Sequence, residues 1–325
     1  LLVSSFFILM QAQAGIVEPI YKQLKDPTTG GQPSTVSMSI TPDGKKMFVL
    51  SHTQNKYYIY DLTTPFDLST MDVSNRSEVD FVGDDPPSAS QIKDIEFNND
   101  GTKVFVFGRA GTLHIHNLTT PYDVASISSS TAVPDDGLDY TTEYGTVSRI
   151  HGVTFNNDGT KMYLSDGTIT STDITQVNLS TPFDPSSGTS TYNLNTESIT
   201  ARYTMDLAFD DDGTRLYLSE SNVGVAINYM YVWKLSNPFE LSSATYVDKW
   251  QILGNGNNLS PYAWTFGNNG MKLYIGTEDA STDGDNIIYE YDLSCPYGIV
   301  LCESETSSVA SAQVEIAKNV IHQNT

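Results

Sequence analysis

Apolar and polar positions alternate with period two along most of the chain, and the alternation stops and restarts at regular intervals. The segments VSMSITPDGKKMFVL (36–50), IKDIEFNNDGTKVFVF (92–107), IHGVTFNNDGTKMYLS (150–165), MDLAFDDDGTRLYLS (205–219) and YAWTFGNNGMKLYIG (262–276) share one pattern. In each, a run ending at Ile40, Phe97, Phe155, Phe209 or Phe266 meets an Asp-Gly or Asn-Gly pair. A second run follows, centred on Phe48, Phe105, Tyr163, Tyr217 or Tyr274. Asp-Gly and Asn-Gly adopt positive φ readily, so each segment predicts a β-hairpin. The turn glycines Gly44, Gly101, Gly159, Gly213 and Gly270 stand 57, 58, 54 and 57 residues apart, which makes the unit an internal repeat.

A second element follows each hairpin: IYDLTTPFD (59–67), IHNLTTPYD (115–123), VNLSTPFD (177–184), VWKLSNPFE (232–240) and YDLSCPYG (291–298). It predicts a third strand ending at Leu62, Leu118, Leu179, Leu235 or Leu293. The proline three residues on has no N–H and stops the ladder. The aromatic after it (Phe66, Tyr122, Phe183, Phe239, Tyr297) reads as a plug at a corner, and a looser fourth strand follows, as in 244–253. Five repeats of three or four antiparallel strands predict an all-β chain folded as a five-bladed β-propeller over residues 15–306. The stretch GIVEPIYKQLK (15–25) is placed to supply the outer strand of the fifth blade and close the ring.

The ends differ from the middle. LLVSSFFILM followed by QAQAG reads as a signal peptide over 1–14, with cleavage after Ala14. Residues 307–325 carry Val309, Ile316, Val320 and Ile321, with Ala310, Ala312 and Ala317, at spacings that suit a short helical tail. The pairing of FNNDGTKMY with LSTPFD resembles the YVTN/lactonase-type repeats of bacterial exported propellers, over about residues 36–298. The stretch AQVEIAKNVIHQNT resembles the segment that joins such domains to an outer-membrane barrel in autotransporter-like proteins. The resemblance implies a surface-displayed passenger with a barrel downstream.

Composition narrows the partners. Asp and Glu number 39 against 17 Lys and Arg, a formal charge of −22, so nucleic-acid backbones and anionic membrane surfaces are repelled. At 39% hydrophobic residues the chain supports a packed core, and no apolar run reaches the length of a spanning helix. The two cysteines, Cys295 and Cys302, are close in sequence, which in an oxidising compartment predicts one local disulfide.

Aligning the first strands on their turn glycines places Ser37, Asp94, Gly152, Asp206 and Ala263 at one position near the propeller axis. Asp94 and Asp206 are candidates for a general acid/base pair, with Glu96 as the nearest third acid. His151 and Tyr262, one position earlier in their strands, complete the channel and ligand candidates. In a wet channel, replacing either aspartate by asparagine is expected to shift stability only slightly. His114 and His116 read as a solvent-exposed polar face in preference to a metal pair. Asp283, Asp285 and Asn286 form a hard-oxygen cluster suited to calcium, without a full calcium loop; no other cofactor is indicated. The expected function is a monomeric, exported, non-catalytic module that binds a glycan or a protein. The alternative is a secreted lactonase- or glycosidase-like hydrolase using the axial carboxylates.

Overall fold

The computed structural model describes residues 18–25, 35–51, 56–80, 92–108, 113–132, 150–166, 173–200, 203–221, 227–254, 257–258, 261–277 and 287–302. Strand β1 (Ile20–Lys25) precedes blade 1, which is β2 (Thr35–Ile40), β3 (Lys46–Ser51), β4 (Lys56–Asp61) and β5 (Ser77–Asp80). Blade 2 is β6 (Ile92–Phe97), β7 (Lys103–Gly108), β8 (Leu113–Leu118) and β9 (Ile127–Ala132). Blade 3 is β10 (Ile150–Phe155), β11 (Lys161–Asp166), β12 (Asp173–Leu179) and β13 (Gly188–Asn195). Blade 4 is β14 (Tyr203–Phe209), β15 (Arg215–Ser221), β16 (Tyr229–Leu235) and β17 (Ala244–Gln251), trailed by a small ladder of β18 (Leu253–Gly254) and β19 (Asn257–Asn258). Blade 5 is β20 (Pro261–Gly267), β21 (Lys272–Thr277) and β22 (Ile288–Asp292), with β1 as its fourth, outermost strand. All five blades are therefore four-stranded antiparallel sheets, and the inner strands β2, β6, β10, β14 and β20 pack side by side round the axis.

Ring closure comes from the N-terminal side. β1 pairs with β22 from Ile20↔Asp292 to Lys25↔Ile288, so strands distant in sequence share the last blade. Each apolar cluster is shared between neighbouring blades. Phe105 and Leu113 of blade 2 pack with Ile150 and Met162 of blade 3, and Met38 and Tyr58 of blade 1 pack with Ala263 and Tyr274 of blade 5.

The two halves of the repeat prove to be one device. The turn glycines take φ from +68° to +75°, the left-handed region where a Cβ is unfavourable. The aromatic plug also takes a positive φ, from +55° to +62°, in every blade. Its N–H donates to the turn glycine's carbonyl at 2.8–2.9 Å, and its ring lies where the missing Cβ would stand. The proline–aromatic corner thus locks the hairpin turn of its own blade.

Cys295 and Cys302 are joined, with their Cα atoms 5.9 Å apart, beside the buried Ile299 and Val300. Among the described residues the helical segments are three-residue 3-10 turns at the corners, and no helix is long and apolar enough to cross a membrane. The signal-peptide reading of 1–14 and the helical tail of 307–325 fall outside the described residues.

Candidate functional site

A feature hidden from sequence positions the axial residues. The pairing of each innermost hairpin slips register at one point: Thr35/Ser37, Ile92/Asp94, Ile150/Gly152, Thr204/Leu207 and Pro261/Ala263. A bulge bends the strand and re-aims the side chain beside it. Here it turns the axial residues towards the neighbouring blade.

Asp94 is buried, at 4% exposure, and is fully engaged. Its Oδ1 accepts the Ser37 hydroxyl of blade 1 at 2.6 Å and the Ile95 N–H at 2.8 Å. Its Oδ2 accepts the Val153 N–H of blade 3 at 2.7 Å. Asp206, half-buried, accepts the Leu207 N–H at 2.8 Å and the Trp264 N–H of blade 5 at 3.4 Å. Ser37 repeats the motif by accepting the Ile95 N–H at 3.1 Å. Gly152 replaces such a clip with close approach, since a Cβ there would stand 2.7 Å from the Asp206 Cα and the Met205 carbonyl. Its freed N–H goes to Ser165 Oγ at 2.9 Å.

These contacts correct the expectation for the asparagine variants. Both oxygens of Asp94 accept from donors, so an asparagine keeps the Val153 N–H only with its carbonyl at Oδ2, and its NH2 then replaces the acceptor shared by the Ser37 hydroxyl and the Ile95 N–H. The aspartates are clips between blades as well as channel residues.

A cavity of about 350 Å³ opens on the turn face of the ring. Asp94, Asp206 and Glu96 all contribute to it, with Ser39, Thr154 and Thr265 on the wall. Thr154 donates its hydroxyl to Glu96 Oε1 at 3.3 Å. Burial, with the neighbouring Asp94 charge, pushes the Glu96 carboxyl up to about 8. Burial likewise raises Asp94 and Asp206 above the usual carboxylate range, and the Asp94 charge adds to the effect on Asp206. Three acids share this cavity, so the third acid is present although it is not at the equivalent repeat position.

At the mouth stand four residues that the sequence reading did not pick out, Pro42, Asn99, Asn157 and Asp211, each two residues before its turn glycine. Asn99 donates its amide to the Asn157 carbonyl, Asn157 donates to the Asp211 carbonyl at 2.6 Å, and Tyr297 donates its hydroxyl to Asp211. That constant offset was the available signal.

His151 and Tyr262 are half-buried and do not line this cavity. His114 and His116 correct the sequence reading, because both are buried, at 7% and 1% exposure, with rings stacked 6.4 Å apart. Strand β8 is covered on both faces by neighbouring blades, so alternation there does not mark a solvent side. Asp283, Asp285 and Asn286 fall outside the described residues. Among the described residues no group of three or more His, Cys, Asp or Glu is arranged to hold a metal.

The buried titratable groups act on stability in opposite senses. Burial, then the neighbouring His114, lowers His116 from 6.5 to about 4, so its contribution is present above pH 6.5 and is lost as pH falls towards 4. The loss amounts to about 3 kcal/mol. Glu96 is raised, so its contribution is present below about pH 4.5 and is lost as pH rises towards 8. Denaturant melts from pH 4 to 8 should therefore show a shallower acid limb for His116→Leu and a shallower alkaline limb for Glu96→Gln. Unchanged limbs in both variants would contradict the assignment.

No protein-family model matches the chain, and no curated protein matches it. Solved structures do match. A 6-phosphogluconolactonase-like protein of Bacteroides fragilis aligns over 86% of this chain and 70% of its own, at 14% identity and a TM-score of 0.45. A functionally unknown protein from Desulfotomaculum acetoxidans aligns over 83% of this chain and 90% of its own, at 13% identity and a TM-score of 0.47. The Cps50 (Swd1) β-propeller domain of Myceliophteria thermophila aligns over 83% and 72%, at 13% identity and a TM-score of 0.43. Identities this low carry no information on chemistry.

Proposed function

We propose that the chain is an exported or cell-surface propeller module that binds a glycan or protein ligand at the turn-face cavity without turning it over. The observation that carries this reading is the engagement of the axial aspartates. Asp94 and Asp206 hold backbone N–H groups of the next blade. A general acid and its partner must reach the substrate with open oxygens. That leaves Glu96, the hydroxyls of Thr154 and Thr265 and the Asn/Asp mouth, a polar surface suited to hydroxyl-rich or amide ligands.

A glycan array probed with the full chain, with and without calcium, tests the reading. Binding by the wild type should weaken about fivefold in Glu96→Gln, the effect of losing one neutral hydrogen bond from a carboxyl that burial keeps protonated. Binding that ignores Glu96→Gln and Thr154→Val, or none to any glycan or peptide probe, would count against it. The calcium arm also tests the 283–286 cluster.

One observation favours a second reading, a lactonase- or glycosidase-like hydrolase. Three carboxyls share the cavity, and Glu96 is held protonated at neutral pH, as a general acid must be. Turnover in a broad hydrolase screen, lost in Glu96→Gln with folding kept, would replace the binding reading.

A further inference from the structure

The seams between blades follow one rule. At the seam of blades 5 and 1, Tyr274 donates its hydroxyl to the Phe66 carbonyl at 2.7 Å, and Glu290 Oε2 accepts the Leu68 N–H at 2.8 Å. Lys272 pairs with the other Glu290 oxygen and, at 2.6 Å, with Asp292. At the seam of blades 3 and 4, Tyr163 donates to the Phe239 carbonyl at 2.7 Å, and Gln176 Oε1 accepts the Leu241 N–H at 2.9 Å. An acceptor on the third strand of one blade thus takes the corner N–H of the next.

Where the acceptor is absent, the corner has adapted. Strand register puts Ile115 and Val232 in the positions of Glu290 and Gln176, opposite Phe105 and Tyr217. Blade 3 answers Ile115 with Pro185, which has no N–H. Blade 5 answers Val232 by turning the Ile299 N–H to the Tyr297 carbonyl at 3.1 Å, and the side chains there leave only about 10 Å³ of space.

The seam of blades 1 and 2 departs from the rule. Ile59, opposite Phe48, occupies the acceptor position, yet the corner residue is Val124, whose N–H meets no acceptor among the described residues. Lys46 is the counterpart of Lys272 and pairs with Asp61 at 2.7 Å, as Lys272 does with Asp292. Its ammonium group has three donors, of which this pair uses one. Phe48, Ile59, Val124 and Lys46 line a groove of about 740 Å³. That volume lies in the range of small-molecule sites.

We propose that this groove binds a small organic carboxylate with an apolar body. One oxygen accepts the Val124 N–H, the other pairs with Lys46 Nζ, and the body lies on Phe48 and Ile59. Glu290 displays this arrangement within the same molecule, held by Leu68 N–H and Lys272. The acids at the rim do not forbid it. Asp61 is paired with Lys46, Asp123 accepts the Ala125 N–H, and Asp43 accepts the Thr41 hydroxyl and the Lys45 N–H. Asp67 and Asp292 flank Glu290 in the same way. The site adjoins the cavity proposed above for a polar ligand, with Pro42 and Tyr122 lining both, but Lys46, Phe48, Ile59 and Val124 line the groove alone.

Hexanoate is the probe, titrated into the full chain by calorimetry and by the shift of the Val124 amide in nitrogen-15 spectra, with hexanol as control. We expect saturable binding with Kd of about 1 mM for so small a ligand. Hexanol and the Lys46→Met variant should each be about tenfold weaker. Ile59→Glu should abolish binding by placing its own carboxylate on the Val124 N–H. No saturable binding to the wild type, a Val124 amide that does not move, or unchanged affinity in Lys46→Met would overturn the proposal. Lys46 is exposed, so its variant keeps the test valid even if Ile59→Glu fails to fold.

Discussion

Gly213→Ala is expected to destabilise the chain by about 3–5 kcal/mol, combining the cost of a left-handed non-glycine residue with overpacking of a filled site. Gly213 has φ +69°, and its new Cβ would stand 2.3 Å from the Phe239 ring. That ring cannot swing away freely. It packs against Phe209 at 5.2 Å, its backbone is held by the Gly213 carbonyl at 2.9 Å, and its own carbonyl holds the Tyr163 hydroxyl of blade 3. Displacing the plug therefore strains a turn, a corner and a seam together. A double-mutant cycle with Phe239→Ala separates the parts. With the ring gone, the glycine substitution should cost only the backbone component, about 1–2 kcal/mol. Additive costs in the cycle would mean that ring and glycine are independent, contrary to the lock described here.

The lock was legible in sequence as two recurring motifs, because a turn that needs positive φ and a corner that needs proline each restrict residue type strongly. That the two motifs bind each other was not legible, since their separation varies with the loop between the second and third strands. The closing role of residues 15–25 was legible from their distance to the first hairpin, and β1 occupies that place. The bulge at Asp94 and Asp206 left no trace, because it falls within the first residues of β6 and β14, too few to show the change of phase it makes in the alternation. Without it, the two aspartates read as free channel acids. His114 and His116 misled for a related reason: a propeller blade is covered on both faces, so polar residues in a middle strand need not see water. Glu290 reads as one acid among apolar neighbours and Gln176 as one polar residue of several in its strand, and only their contacts across a seam give them a role.

Removal of the chain through Lys25 should cost more than any single substitution, because it takes away the strand that makes the ring continuous. β1 covers the edge of β22, and Tyr21 packs its ring 6.2 Å from Tyr289 and 6.1 Å from Tyr291. Gln23 donates to Glu290 at 2.6 Å and to Asp67 at 3.0 Å, so one side chain ties the last blade to the first. Without these contacts Glu290, at 1% exposure, keeps its backbone and lysine partners but loses an amide donor, and β22 presents a bare edge. A bare edge is a template for pairing with another chain. The truncated protein should therefore melt at least 10 °C lower, an effect of roughly 6 kcal/mol at this size, and should run as oligomers on size exclusion. A synthetic peptide spanning 15–25, added in excess, should restore the monomer and part of the lost stability by binding the folded form. A truncated chain that stays monomeric with an unchanged melting temperature would show that the seam of blades 5 and 1 holds without its outer strand, and that Tyr274, Glu290 and Lys272 suffice to close the ring.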